Sequence, residues 1–368
     1  MNPSANSLFI RSDYLGVERG LAEFRCGRPV VILGDQSIAA MPIDGCSRES
    51  IQLFQRSFDV SAVKLAVSAR RAHALGIKTQ TPVSLETQGE VSICDAIAVA
   101  DGKSLPRGFS VTPARSPAMA GIELAKLAGK LPALLIAELR SERQGDFYAK
   151  FEAAAVSGLR QHLVDSLEIA GSSAMTLDGT EAARLVVFRN AIANEPVALI
   201  VGAPDLSQPV LVRLHSECLS GDVFGSRRCD CGDQLRLAFT RIQSVGGIIL
   251  YLRQEGRGVG LLNKIRAYEL QDAGLDTVEA NMTLGFESDE RDYSAAGRML
   301  QLLGCQRVLL LTNNPAKLAG LSNSGIEISG RVPLHAPITA NNRRLLETLM
   351  VRAGHHSIAG AADAPFQE

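Results

Sequence analysis

The chain has 368 residues, 46% of them hydrophobic, with 38 basic against 39 acidic side chains. That length exceeds what one hydrophobic core normally serves and implies two domains. The near-neutral charge excludes a broad basic field for wholesale nucleic-acid binding, and no stretch is apolar for long enough to span a membrane. Seven cysteines are an odd number, not spaced as an extracellular disulfide framework. With an N-terminal stretch that has no apolar leader, they predict a cytoplasmic protein. An anionic ligand must then be held by a local cluster.

Taken in chain order, the first half alternates strands and helices. RPVVIL (28–33) predicts a strand, and Val63, Val67, Arg70 and Ala74 lie at helical spacing within 60–75. A helix is expected over 116–129, with Ser116 as its cap, Pro117 in the first position and Gly129 at its end. A strand at 133–138 and a helical stretch at 147–169 follow, and GSSAMTLDGT (171–180), small and polar, predicts a linker. The second half opens with strands at 183–188, 197–201 and 209–214. A helix at 232–245 places Leu235, Ala238, Ile242 and Val245 on one face and stops at Gly246 and Gly247. Then come a strand at 248–252, the glycine loop 254–260, helices at 261–273 and 294–303, and a strand at 307–311. Asn314 and Pro315 open a helix that ends near Gly325. The expected fold is α/β in two domains, 1–171 and 172–356, each a mixed sheet flanked by helices. The second is a three-layer α/β/α domain, and 357–368 is a disordered tail.

Three thiols stand close in sequence, Cys218, Cys229 and Cys231. A structural zinc is normally closed by four protein ligands, whereas three leave a position for water. His215 could supply a fourth and make the metal structural. Three buried, unligated cysteines are the plain alternative. Arg213, His215 and Glu217 alternate along the strand leading into Cys218, so they share one face. The loop EGRGVG (255–260) follows a strand and precedes a helix, which suits phosphate contact, although its G-x-G-x-G spacing is not the dinucleotide fingerprint. Asn313 to Pro315 with Lys317 form a second strand-to-helix corner. Five charges crowd into 287–292, after an apolar stretch that reads as strand-like. Such a run is ordinarily a solvated face, yet at a strand end it would also suit acid/base residues.

Together, HSECLSGDVFGSRRCDCGDQL, RQEGRGVGLLNKIRAYELQD, DTVEAN with SDERDY, and LLTNNPAK resemble GTP cyclohydrolase II over residues 180–355. The resemblance implies the first step of riboflavin biosynthesis, in which GTP loses C8 as formate and its outer phosphates as diphosphate. A diaminopyrimidinone ribosylamino 5′-phosphate remains. It implies one catalytic zinc per chain on Cys218, Cys229 and Cys231, activating water for attack on C8. Arg291 is implied as the nucleophile at the α-phosphate, with an electrostatic clamp as the alternative, because an arginine is a weak nucleophile. Asp289 is implied as proton acceptor, and Tyr268 as orienting the purine. GTP contacts carry over to Arg213, Leu214, His215, Ser216, Glu217, Gln234, Glu255, Gly256, Arg257, Thr277, Thr312 and Lys317. Mg²⁺ would bridge the nucleotide phosphates. A homodimer is expected, with no nucleic-acid or membrane partner. The other readings are a cyclohydrolase II-like paralogue acting outside flavin synthesis and a zinc-bearing nucleic-acid-binding module.

Residues 20–35 (GLAEFRCGRPVVILGD) and 121–139 (GIELAKLAGKLPALLIAEL) resemble dihydroxybutanone phosphate synthase. In place of that family's dense acidic loop stands GDQSIAAMPID, with Asp35 and Asp44 as its carboxylates, and SPAMA replaces the His-Thr-Glu metal motif. Without clustered oxygen ligands a hard cation has no site. The expectation is a degenerate domain with a structural or dimer-forming role.

Overall fold

In the computed structural model, residues 12–58, 63–87, 93–100, 108–140, 147–339, 342–352 and 354 are described, and their strands build two sheets of seven. One compact unit comprises Met1–His162 with Val259–Glu290, the other Leu163–Gly258 with Arg291–Glu368. The units are thus not two consecutive stretches, because 259–290 packs within the first. The expected tail at 357–368 lies outside the described residues. Among the described residues no helix is long and apolar enough to cross a membrane.

The first unit contains β1 (Val30–Leu33), β2 (Ile38–Pro42), β3 (Lys64–Val67), β4 (Val83–Thr87), β5 (Phe109–Pro113), β6 (Ala133–Glu138) and β7 (Lys150–Glu152). Their order is β5-β4-β3-β6-β2-β1-β7. β1 and β7 pair in parallel and every other neighbour antiparallel, so the sheet is mixed. Three expectations are corrected here. Residues 60–75 are not one helix. Lys64–Val67 pairs with β4 and β6, Ser68 caps the turn by accepting from Arg71 N, and a short helix follows over Ala69–Ala74. A four-residue spacing of Val63 and Val67 also fits alternate positions of a buried strand. The helix Ser116–Leu127 is capped by the Arg115 backbone, not by the Ser116 side chain. Within 147–169 a strand, Lys150–Glu152, precedes the helix Ala153–Asp165, because it finds an open edge beside β1.

The core of this unit joins Val31, Leu65, Leu85 and Leu135 from the strands to Phe54 and Phe58, and to Val259, Ala267, Ala280, Leu284 and Phe286 from far along the chain. Those last residues come with the helices Leu261–Asp272 and Thr277–Thr283. The second of these overturns the strand-like reading before residue 284. Its start is a capping box, with Asp276 accepting from Val278 N and Glu279 N while the Glu279 side chain returns to Asp276 N.

The second unit contains β8 (Glu168–Leu177), β9 (Thr180–Arg189), β10 (Val197–Val201), β11 (Val210–Ser216), β12 (Gly247–Leu252), β13 (Arg307–Leu311) and β14 (Glu327–Val332). Their order is β14-β13-β11-β12-β10-β9-β8. From β14 to β12 neighbours run parallel, and from β12 to β8 antiparallel. The expected linker at 171–180 is instead strand and turn, since Leu177 pairs with Thr180 across Asp178 and Gly179. An Asp-Gly pair supplies the positive φ that a two-residue hairpin needs, and Gly179 has φ of 75°. Alternate residues of the central strands enter opposite cores. Val210, Val212, Leu214, Ile248 and Leu250 meet Ala296, Met299 and Leu321 on one face, whereas Leu211, Ile249 and Leu311 meet Ala238 and Ile242 on the other. The helices Ser294–Leu302 and Pro315–Asn323 therefore cover one face and Cys231–Val245 the other, giving the three-layer α/β/α arrangement.

Candidate active site

β11 lies between β12 and β13, all three parallel. The connection leaving β11 runs through a helix on one face, and the connection entering β13 comes from a helix on the other. Such a reversal opens a crevice at the strands' carboxyl ends. Those ends carry Ser216 to Cys218, Arg253 to Gly258, and Thr312 to Asn314.

In this unit Cys218 Sγ lies 3.7 Å from Cys229 Sγ, and the Sγ atoms of Cys218, Cys229 and Cys231 all lie within 4.8 Å of one another. Thiolates at ~2.3 Å around a tetrahedral zinc stand about 3.8 Å apart, so the set fits that ion. Gly221 shapes the cradle. A Cβ there would sit 3.0 Å from both Cys218 Sγ and Cys229 Sγ, and a Cβ at Gly232 would sit 2.3 Å from the Gly221 carbonyl oxygen. Hydrogen bonding to the Cys218 thiol pushes the Cys229 thiol up to about 11, and the Cys231 thiol is raised by its bonds to the other two. Three packed thiols resist ionising together, and a dication is what would reverse that. Among the described residues this is the group of His, Cys, Asp and Glu able to hold a metal.

His215 does not join it. Its Nε2 donates to both carboxylate oxygens of Asp222 at 3.1 Å, and its ring stacks on Tyr251. Asp222 also accepts from Tyr251 Oη at 2.9 Å and from Cys218 N at 3.0 Å. One buried carboxylate thus fixes the imidazole, the phenol and the backbone of a thiol-bearing residue. Burial lowers the His215 pKa, with the Asp222 hydrogen bond working against it. Its Nδ1 is buried without a hydrogen-bond partner.

On the same strand Arg213 donates to Leu311 O at 3.0 Å and to Gln234 Oε1 at 2.6 Å, and Gln234 in turn donates to Asp230. Burial pushes the Arg213 pKa down to about 10, with the charge of Asp230 opposing it, so the side chain remains a cation. Leu214 packs entirely in the core, leaving its carbonyl oxygen as the polar handle, and Lys317 Nζ donates to that oxygen at 2.7 Å. Thr312 is buried, its Oγ1 accepting from Asn314 N. Ser216 Oγ accepts from Gln254, and Glu217 pairs with Arg253 at 3.2 Å. Glu255 accepts from Leu219 N at 2.6 Å and from Gly256 N, tying the glycine loop to the thiol loop. In that loop Gly256 and Arg257 have φ of 64° and 63°. Arg257 carries a side chain in the left-handed region, a conformation held only where the surroundings demand it.

Tyr268, Thr277 and Asp289 fall in the first unit, whereas Arg291 opens the final stretch of the second. Tyr268 is half-buried with Lys264 Nζ over its ring, and Thr277 is the first residue of its capped helix. Arg291 lies over the Tyr293 ring, and its charge acts on Arg213. The charged run is no plain solvated face. Glu287 pairs with Arg70, Glu290 with Lys126 at 2.8 Å, and Asp292 accepts from Ser294 N. Sequence reading passed over Asp222, Tyr251 and Gly221. A carboxylate and a glycine within four residues of a thiol were the available signal.

A family model described as GTP cyclohydrolase II matches residues 169–333. The chain is 38% identical over 359 residues to GTP cyclohydrolase-2 of Azospirillum brasilense, covering 92% of this chain and 93% of that one. It is 56% identical over 163 residues to riboflavin biosynthesis protein RibBA of Bacillus cytotoxicus, covering 44% of this chain and 41% of that one. Among solved structures, RibBX, a two-domain 3,4-dihydroxy-2-butanone 4-phosphate synthase from A. baumannii, aligns over 86% of this chain and 99% of its own at 16% identity, with a TM-score of 0.33.

Proposed function

This chain belongs to the GTP cyclohydrolase II family of hydrolases, and from that premise we propose that it converts GTP to formate, diphosphate and the diaminopyrimidinone ribosylamino 5′-phosphate that enters riboflavin biosynthesis. Cys218, Cys229 and Cys231 hold one zinc per chain, which when bound supplies the Lewis acidity that activates water toward C8. Asp222 sets the Cys218 backbone and the His215 ring. The cation of Arg213, the glycine loop 255–257 and Lys317 receive the nucleotide, with Mg²⁺ on its phosphates. Arg291 acts at the α-phosphate, Asp289 takes the proton and Tyr268 orients the purine. The enzyme works as a cytoplasmic homodimer.

The observation carrying this reading is the trio of Sγ atoms within 4.8 Å in a cradle kept open by Gly221. Replacing Cys218 by Ser separates the two chemistries, because serine is a poor zinc ligand and the phosphates are handled elsewhere. Formate release should stop while diphosphate release survives in part, leaving GMP with its imidazole intact. Circular dichroism checks that the variant is folded. A folded Cys218→Ser protein that still makes formate would eliminate the zinc role. Growth of a riboflavin auxotroph carrying this chain tests the pathway, and failure to complement despite formate release would favour a paralogue outside flavin synthesis.

The first unit is inert toward ribulose 5-phosphate in this reading. Supporting it, β1 and β2 are joined by residues 34–37, with Asp35 the carboxylate among them. Formate produced from ribulose 5-phosphate and Mg²⁺ at an enzymatic rate would overturn that assignment.

A further inference from the structure

Asp44 has a side chain only 4% exposed, at the end of β2, and its partner stands 222 residues away in the chain. Arg266 Nη2 donates to Asp44 Oδ1 at 2.7 Å and Arg266 Nη1 to Oδ2 at 3.0 Å, a two-pronged pair, and Leu131 N donates to Oδ2 at 3.3 Å. Burial works to raise the Asp44 pKa, but the guanidinium outweighs it and leaves the carboxyl below its ordinary value. The network continues along the helix Leu261–Asp272. Arg266 Nη1 also donates to Asn263 Oδ1 at 2.9 Å, and the fully buried Asn263 donates to Gly129 O and Val259 O. The next segment is fastened in the same way. Arg71, with no exposed surface, donates to Leu284 O at 2.8 Å, and Ser68 Oγ donates to Gly285 O at 2.6 Å. Gly285, with φ of 95°, comes so close that a Cβ would meet Pro132 at 2.8 Å.

A buried carboxylate is costly unless paired, and an apolar residue at 44 would spare that cost. What the pair adds is direction. Arg266 and Tyr268 lie about 200° apart around one helix, so gripping Arg266 from the sheet fixes how Tyr268 is turned on the other side. We propose that Asp44 is a positioning residue for the ring-opening reaction: through Arg266 it sets the rotation of the helix Leu261–Asp272 and hence the phenol of Tyr268. This rests on the reading of the chain as a GTP cyclohydrolase II.

The test uses the full-length, zinc-loaded protein. Asp44→Asn keeps size and the Leu131 contact while removing the charge that grips Arg266. It should retain full zinc content and unfold above the assay temperature, yet lose about tenfold to a hundredfold in kcat for formate release. KM for GTP should stay within about threefold, a split that simple destabilisation would not produce. Asp44→Asn combined with Arg266→Gln should be no worse than the more damaging single variant, because the two act as one unit. Arg266→Lys, which keeps the charge but loses the planar fork, serves if Asp44→Asn does not fold, and should lose kcat by a similar factor. Lys64→Gln, which removes the partner of Glu86 and Glu138 in the same unit, should keep wild-type kcat. A folded Asp44→Asn or Arg266→Lys enzyme with wild-type kcat, or strictly additive losses in the double variant, overturns the proposal. A wild-type protein that releases no formate from GTP overturns the functional reading instead.

Discussion

The stretches that follow β1 and β11 put two seven-stranded sheets to different uses. After β11, residues 217 to 231 hold three thiols, a shared carboxylate at Asp222 and a glycine kept bare by the sulfurs around it. After β1 the chain turns through Gly34 to Ser37 and enters β2, offering one carboxylate. Both scaffolds are intact, with cores that a chemist could not rank by activity. The difference teaches that two sheets of equal strand number can present very different chemistry at their strand ends, because that chemistry is carried by the loops and not by the packed scaffold.

The largest break in that comparison should come from one methyl group. Gly221→Ala drives a Cβ against two sulfurs, so zinc content should fall to near zero and formate release by on the order of a thousandfold, as for loss of a central catalytic group. Metal analysis with the formate assay decides it, and a zinc-replete, active Gly221→Ala protein would show that the cradle tolerates bulk. Arg291→Lys should follow, with a loss of about a hundredfold in both formate and diphosphate release, because lysine keeps the charge without the planar fork. Near-normal rates would demote Arg291 to a surface residue of a charged loop. Asp222→Asn should weaken zinc retention against a chelator by roughly tenfold to a hundredfold, the usual range for an outer partner of a metal site. A shifted absorption spectrum of the cobalt-substituted protein would register the altered Cys218 geometry, and an unchanged one would confine Asp222 to packing.

The smallest effect sharpens the other side. Asp44 has a folded pKa held below its unfolded value by Arg266, against the pull of burial. Its contribution to stability is present above the unfolded carboxyl range and is lost as pH falls through the folded value. The stability difference between wild type and Asp44→Asn, followed by urea unfolding, should therefore shrink as pH drops from 7 toward 3. A difference that stays constant with pH would mean that the pair is not charged in the folded protein.

Much of the second unit was readable beforehand. Its parallel strands are uninterrupted apolar runs, and Asn314 with Pro315 announces the helix Pro315–Asn323, where Asn314 Oδ1 accepts from Ala316 N. The thiols were visible as a cluster by spacing alone. What escaped notice depended on partners distant in sequence. β3 looks helical until β4 and β6 are placed beside it, and β7 exists because β1 offers an edge. The hairpin at Asp178 and Gly179 was read as a linker because its flanking residues are small and polar, although the dipeptide itself is a turn signal. Asp222 and Asp44 could be seen as residues but not as hubs, since a carboxylate's role lies in which donors converge on it. In the charged run 287 to 292, composition suggested solvent while Arg70 and Lys126 supply specific partners from more than a hundred and fifty residues upstream.

The contribution of residues 259–290 to the first core also sets a timetable for synthesis. Val259, Ala267, Ala280, Leu284 and Phe286 complete a core whose earlier members end before His162. Between residue 162 and residue 290 lie 290 − 162 = 128 residues of translation, or roughly 6 to 25 s at ribosomal speeds of ~5–20 residues per second. Throughout that interval the nascent N-terminal sheet has Phe54 and Phe58 against it but lacks the part of its core that residues 259–290 supply. The unit that begins first is therefore finished late.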